Sequence, residues 1–180
     1  TVCKEAKCPN LSQCFKNKQH TIMILGRVCT RACKFCAVLK KEKHESRKID
    51  LNEAQKISYA VKRLGLKYVV VTSVTRDDLL DGGARQFAET IHTLNKLSND
   101  ILIEVLIPDF LANYQSINIV VSQKPSVIAH NLETVKRLSK ELRPEADYER
   151  SLKVLSIIKK IAKGIITKSS LILGLGETEN

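Results

Sequence analysis

Six cysteines stand at positions 3, 8, 14, 29, 33 and 36, and none occurs in residues 37–180. This clustering constrains the chain more than any other feature. A disulfide framework usually staples a small secreted domain, but the long cysteine-free remainder carries its own apolar pattern and needs no staple. Zinc sites usually draw four ligands from paired Cys-x-x-Cys units, whereas this chain has two triplets and only one Cys-x-x-Cys. Iron–sulfur clusters take thiolates in triplets or quartets at short spacings, and two triplets fit that chemistry best. In the second triplet, Cys29, Cys33 and Cys36, three residues separate the first pair and two the last. Three thiolates on a four-iron cube leave one iron without a protein ligand, the open position a catalytic site needs. The plainer alternative is a zinc loop that borrows a ligand from elsewhere. The spacing of Cys3, Cys8 and Cys14 is less specific alone, and spare structural cysteines are its plain reading.

Apolar residues make up 43% and charged residues 27% of the chain, an ordinary globular balance that excludes extended disorder. The longest apolar stretches, at 68–71 and 117–121, fall far short of the roughly 20 residues a bilayer requires. No signal peptide opens the chain. A cytoplasmic location, or a mitochondrial or plastid one in a eukaryote, is the expectation. Thr1 is not an initiator, so a further N-terminal segment is expected. Thirty Lys and Arg against nineteen Asp and Glu leave a net +11, which suits an acidic partner. Trp is absent and aromatics are only 4%, so a single-strand nucleic-acid binder is disfavoured for want of stacking platforms. The densest basic run is Lys40, Lys41, Lys43, Arg47 and Lys48. Its plain reading is a solvated face.

Past the cysteines a strand–helix alternation repeats. Strands are expected at 21–26, 68–74, 101–107, 126–129 and 169–175. Asp50 opens a helix with Glu53 at the capping-box spacing; Leu51, Ala54, Ile57, Val61 and Leu64 line one face, and Gly65 stops it. A helix over 84–97 buries Phe87, Ile91 and Leu94; 111–121 is ambiguous; another helix covers 134–142. Asp147 caps a helix reaching 163, with Leu152, Leu155, Ile158 and Ala162 inward. Several strands are apolar on both faces, so the sheet is parallel and helix-covered. Five strands do not close an eight-stranded barrel, which leaves an open α/β sheet or an incomplete barrel. The chain stops at Glu177-Thr178-Glu179-Asn180, where another helix should begin, and a cut C-terminus is expected.

Single residues also stand out. Glu104 is a lone carboxylate in an apolar strand, a costly placement unless it is paired or wet. It either faces a barrel lumen or lies at the surface. His130 and Asn131 end the fourth strand, and a structural hydrogen bond is the commoner fate of such a histidine. Arg143 is a candidate for a cofactor carboxylate, a surface salt bridge being the alternative. Gly174 and Gly176 form a Gly-x-Gly at a strand end.

The spacing of Cys29, Cys33 and Cys36, with Phe35 directly before the last, resembles the radical S-adenosylmethionine superfamily. That resemblance implies a 4Fe–4S cluster whose open iron chelates S-adenosylmethionine and reduces it to a 5′-deoxyadenosyl radical, with Phe35 beside the adenine. Both triplets together resemble the lipoyl synthase family. Agreeing stretches include Met23-Ile24-Leu25-Gly26, Thr72-Ser73-Val74-Thr75-Arg76-Asp77-Asp78-Leu79, Asp81-Gly82-Gly83-Ala84, Ile107-Pro108-Asp109-Phe110, His130-Asn131-Leu132-Glu133-Thr134, Arg143-Pro144 and Leu173-Gly174-Leu175-Gly176-Glu177-Thr178.

What this family resemblance implies is a partial (βα) barrel over 21–180, lacking its C-terminal strand, behind a cysteine-rich extension over 1–20. It implies insertion of two sulfurs at C6 and C8 of an octanoyl chain, with a second 4Fe–4S cluster on Cys3, Cys8 and Cys14 as the sulfur donor. Thr72, Ser73, Glu104, Asn131 and Arg143 become candidate S-adenosylmethionine contacts. The implied partners are an octanoylated lipoyl-carrier domain, of a 2-oxoacid dehydrogenase E2 or the glycine cleavage H protein, and an electron donor such as a ferredoxin or flavodoxin. No nucleic acid or membrane is implied. The basic run at 40–48 would then steer the acidic carrier. A family serine in an Arg-Ser-Ser stretch completes the donor cluster, and this chain ends before it. The alternatives are another radical sulfur-inserter, such as an RNA methylthiotransferase, or a two-cluster electron-transfer protein. A ferredoxin would supply four thiolates per cluster and no large βα scaffold.

Overall fold

Helix α1 (Leu11–Lys16) leads into strand β1 (Gln19–Ile24), and Phe15 stacks on the buried His20 with ring centroids 3.9 Å apart. The computed structural model describes residues 10–40, 48–98 and 100–178. Cys3, Cys8, Lys41, Lys43, Arg47, Glu179 and Asn180 lie outside the described residues. A short parallel pair, β2 (Val28–Cys29) and β3 (Leu39–Lys40), brackets the second cysteine triplet. Then come α2 (Glu53–Leu64), β4 (Tyr68–Ser73), α3 (Ala84–Leu97) and β5 (Leu102–Leu106). A 3-10 turn (Phe110–Ala112) precedes α4 (Tyr114–Val121), β6 (Val127–Ala129), α5 (Lys136–Leu142), α6 (Tyr148–Ile161) and β7 (Ile166–Lys168).

The main sheet runs β1-β4-β5-β6-β7 with every neighbour parallel. Among the described residues the order never reverses, so they show no switch point of the doubly wound kind; each strand adds to one growing edge, as in a barrel wall. Register sorts the faces. Ile24, Val69, Val71, Ile103, Val105 and Ile128 are buried under the helices, against Phe87, Ile91, Leu94, Ile117, Val154 and Ile158. Alternation puts Thr21, Met23, Tyr68, Val70, Thr72, Glu104, Leu106 and Lys168 on the opposite, inner face.

Four expectations need correction. The capping box at Asp50 does not form. Helix α2 starts at Glu53 behind Asn52, and Asp50 instead accepts from the Asn52 amide (3.0 Å) and Lys56. Glu53 is drawn into a long-range contact, described below. The apolar face of α2 is narrower than its pattern: Ala54, Ile57 and Val61 are buried, but Leu51 and Leu64 are 82% and 52% exposed. Likewise α6 buries Val154, Ile158 and the following Ala162, while Leu152 is exposed and Leu155 half-buried. The expected strand at 169–175 gives way to β7 three residues earlier. Apolar content alone does not fix register. Beyond Lys168 the chain pairs irregularly with 130–133, because Glu133, at φ 66°, bends the ladder; there Glu133 N–H donates to Ser170 O and Ile172 N–H to Glu133 O. Leu171 and Leu173 are left 50% and 79% exposed. No helix among the described residues is long and apolar enough to cross a membrane.

Gly83 precedes α3 at φ 92°, and a Cβ there would stand 2.2 Å from Leu25 Cδ1. Both the left-handed backbone and the buried Leu25 resist a side chain. Gly83→Ala should lower stability by roughly 2 kcal/mol, read as a fall in the urea midpoint at constant slope. A shift too small to measure would show that Leu25 moves aside freely.

Candidate active site

The second cysteine triplet follows the C-terminal end of β1, the end at which parallel α/β sheets and barrels gather their chemistry. The chain leaves β1 through Leu25 and Gly26, both at positive φ. Glu53 fixes this turn: its carboxylate accepts the Leu25 N–H at 3.1 and 3.2 Å and Gln86 Nε2 at 3.0 Å. Burial pushes Glu53 above the usual carboxylate range, and the Leu25 amide and Gln86 offset this only in part.

Cys29, Cys33 and Cys36 are all free and half-buried. The Arg31 amide faces Cys29 Sγ at 3.4 Å, and the Cys36 amide donates to Cys33 O at 3.2 Å. Burial pushes the Cys33 thiol up, and Arg143, hydrogen-bonded to it, pulls the other way. Cys36 and Cys29 lie close enough to add to the rise, so the three sulfurs share one electrostatic neighbourhood. Among the described residues, no three Cys, His, Asp or Glu side chains converge as ligands of a single ion. A four-iron cube seats each thiolate on its own corner, so three thiols need not converge on one point to hold it.

Neighbouring segments hold this loop on every side. Thr30 N–H donates to Thr75 O (3.0 Å), and its hydroxyl reaches Thr75 O and Asp77. Ala32 N–H donates to Glu145 Oε2 (3.1 Å), and Lys34 N–H to Leu142 O (2.8 Å). Arg31, buried, forks onto Asp77 and Asp109, and Asp109 also takes Arg150 Nε. Burial alone would raise Asp109. The Arg31 hydrogen bonds and charge, the Leu111 amide and Arg150 overcome it and hold the carboxyl well below its usual range.

The remaining expected residues fall in distinct places. Thr72 is buried on the inner face and donates to Leu106 O at 3.0 Å. Ser73 registers beside Ile24, on the helix-covered face, with a buried hydroxyl that has no partner. Glu104 is buried on the inner face, with one oxygen toward Tyr68 Oη (2.5 Å) and the other toward Lys168 Nζ (2.8 Å). Burial, then Glu104, pushes Tyr68 up to about 12. Phe35 and Asn131 are half-buried. Arg143 Nη1 donates to Leu132 O at 2.9 Å, and its buried Nε has no partner. His130 binds Ile107 O through Nδ1 at 3.0 Å and leaves a buried Nε2 unpaired. Buried polar atoms are seldom left unsatisfied, so a polar ligand at these strand ends has partners waiting. Gly174 and Gly176 both have positive φ, with Glu177 accepting the Gly174 and Leu175 amides.

Arg31 and Arg150 went unnoticed in the sequence, and Asp109 and Glu133 entered only within family-like stretches, with no role of their own. Arg31, Asp109 and Arg150 form the clamp, and Glu133, half-buried at φ 66°, bonds to Asn131. Apart from those stretches, the signal that could have marked Asp109 and Glu133 is a charged residue within a turn just after a strand.

Residues 23–180 match the family model of the radical SAM superfamily. The chain belongs to that superfamily, whose chemistry uses a 4Fe–4S cluster and S-adenosylmethionine, and the three-cysteine loop has the donor set and setting for such a cluster. The chain is 52% identical to the lipoyl synthase of Caldanaerobacter subterraneus subsp. tengcongensis over 99% of its own length and 62% of that protein's. It is 53% identical to that of Aquifex aeolicus over 98% of itself and 63% of the relative. The chain thus spans about three fifths of the length of these curated relatives. Among solved structures, methylornithine synthase superposes with a TM-score of 0.66 at 16% identity, covering 87% of this chain and 45% of that one. The FeFe-hydrogenase maturase of Carboxydothermus hydrogenoformans gives 0.65 at 16%, covering 89% and 38%. At such identities these two structures bear on the fold alone.

Proposed function

We propose that the protein is a lipoyl synthase, which inserts two sulfur atoms at C6 and C8 of a protein-bound octanoyl chain. The observation that carries this reading is the clamped three-cysteine loop at the end of β1, in a chain about half identical to lipoyl synthases along almost its whole length. When bound, two 4Fe–4S clusters and S-adenosylmethionine supply the one-electron chemistry that removes hydrogen from inert C–H bonds, and the sulfur. Cys29, Cys33 and Cys36 hold the catalytic cluster; Cys3, Cys8 and Cys14, in an extension over residues 1–20, hold the donor.

Arg143, next to Cys33 with a buried donor to spare, binds the methionine carboxylate. Phe35, Thr72 and Asn131 contact the rest of the cofactor. Ser73 and Glu104 are the remaining candidates. One shares a face with Ile24, and the other's two oxygens are engaged by Tyr68 and Lys168. Helix α1 brings Cys14 to the leading end of β1, while Cys29 follows its trailing end. A six-residue strand is about 20 Å long. The octanoyl chain would therefore lie along the inner face, past Met23, Val70 and Leu106, where no acid or base is needed and water is unwelcome.

The carrier is an octanoylated lipoyl domain of a 2-oxoacid dehydrogenase E2 or a glycine cleavage H protein, and the reductant is a ferredoxin or flavodoxin. The compartment is the cytoplasm, or a mitochondrion or plastid in a eukaryote. The test is a product assay: the chain extended by a family C-terminal segment that supplies the Arg-Ser-Ser stretch, loaded anaerobically and given a chemical reductant, S-adenosylmethionine and an octanoylated lipoyl domain, read by intact mass. Replacement of two hydrogens by two sulfurs is expected. S-adenosylmethionine cleavage with no sulfur on the domain would contradict the assignment.

A further inference from the structure

Arg31 lies between two cysteines of the catalytic triplet, yet its side chain is only 5% exposed. Its guanidinium makes four hydrogen bonds of 2.8 Å: Nε and Nη2 to Asp77, and Nη1 and Nη2 to Asp109. The Asp109 side chain is fully buried and also accepts Arg150 Nε at 2.8 Å and the Leu111 amide at 3.1 Å. One side chain therefore ties the cysteine loop to the segments that follow β4 and β5, and through Asp109 to α6.

Charge shows what this assembly is for. Two arginines and two aspartates cancel, so it adds little net field at the cysteines. A buried ion-pair network is also no better for stability than apolar packing of the same shape. What it fixes is position: a planar fork that engages two carboxylates at once tolerates little displacement. The segments it joins are the ones that lead away from Thr72 and from the strand beneath His130.

We propose that Arg31 is a positioning residue, which sets the cysteine loop in register with the neighbouring strand ends through contacts made wholly by protein groups. The proposal rests on the radical SAM reading for its catalytic consequence, but not for its structural one. The loop should be ordered by Arg31 before any metal binds, and protein whose thiols would hold the cluster an ångström out of place should cleave S-adenosylmethionine poorly.

Arg31→Lys keeps the charge and loses the fork. In metal-free protein, amides 30–36 should exchange with solvent about 10-fold faster while α3 is unchanged, because only a local opening is made easier. In the loaded protein, at equal iron per chain, cleavage should slow by about 30-fold and the electron paramagnetic resonance signal of the reduced cluster should broaden. Asp77→Asn removes half the fork at a partly exposed carboxylate and should give the same pattern at about 3-fold. Unchanged exchange in the loop, equal acceleration of loop and α3, or wild-type cleavage per cluster would each overturn the proposal. If Arg31→Lys does not fold, Asp77→Asn decides alone by the same criteria. A wild-type protein that loads iron but cleaves no S-adenosylmethionine would sink the enzymatic reading and leave the exchange result as the test of the clamp.

Discussion

Cys29→Ala protein, loaded anaerobically, should form 5′-deoxyadenosine at no more than background, a loss on the order of 10⁴-fold, the scale on which an essential group acts. The triplet has no spare thiolate. The next cysteine among the described residues is Cys14, which precedes β1 while Cys29 follows it. A two-thiolate loop leaves a second iron open, and the cluster degrades or binds out of register with Arg143 and the strand ends. Cys33→Ala and Cys36→Ala should behave alike, because all three sulfurs share one neighbourhood. The assay is product formed per enzyme with excess reductant. Substantial cleavage by Cys29→Ala would mean that the electron enters S-adenosylmethionine elsewhere.

The second large effect separates the two triplets. Cys8→Ala should still make 5′-deoxyadenosine, since the residues that hold S-adenosylmethionine are untouched. Lipoyl product should fall below detection, on the order of 10³-fold or more, because the sulfur source is lost. Iron content should drop by about half, the share of one of two equal clusters. A Cys8→Ala variant that inserts both sulfurs at a normal rate would remove the first triplet from the reaction.

The sequence made some elements readable to the residue and hid others, for physical reasons. Helix α3 was legible because Phe87, Ile91 and Leu94 repeat on one face behind a glycine that must take positive φ. The Asp147 cap was equally local, its side chain accepting the Arg150 amide at 2.6 Å. The C-terminal strand was misplaced because its pairing depends on where β6 ends and on the bend at Glu133, neither of which apolarity records. The cysteine triplet was visible because one short loop carries all three thiols. The clamp was not, since Arg31 meets Asp77 and Asp109 across 46 and 78 residues. Glu104 lies between these cases. A lone carboxylate in an apolar strand announces that it needs a partner, but only the fold supplies Tyr68 and Lys168.

The central claim is that the site at the end of β1 removes hydrogen from the octanoyl chain itself. Running the product assay on a lipoyl domain whose octanoyl group is deuterated at C6 and C8 tests it in one measurement, the mass of the recovered 5′-deoxyadenosine. Deuterium is expected in that product, together with a domain that has gained sulfur. Unlabelled 5′-deoxyadenosine from the deuterated domain would contradict it, because the hydrogen would then have come from somewhere other than the carbons that receive sulfur.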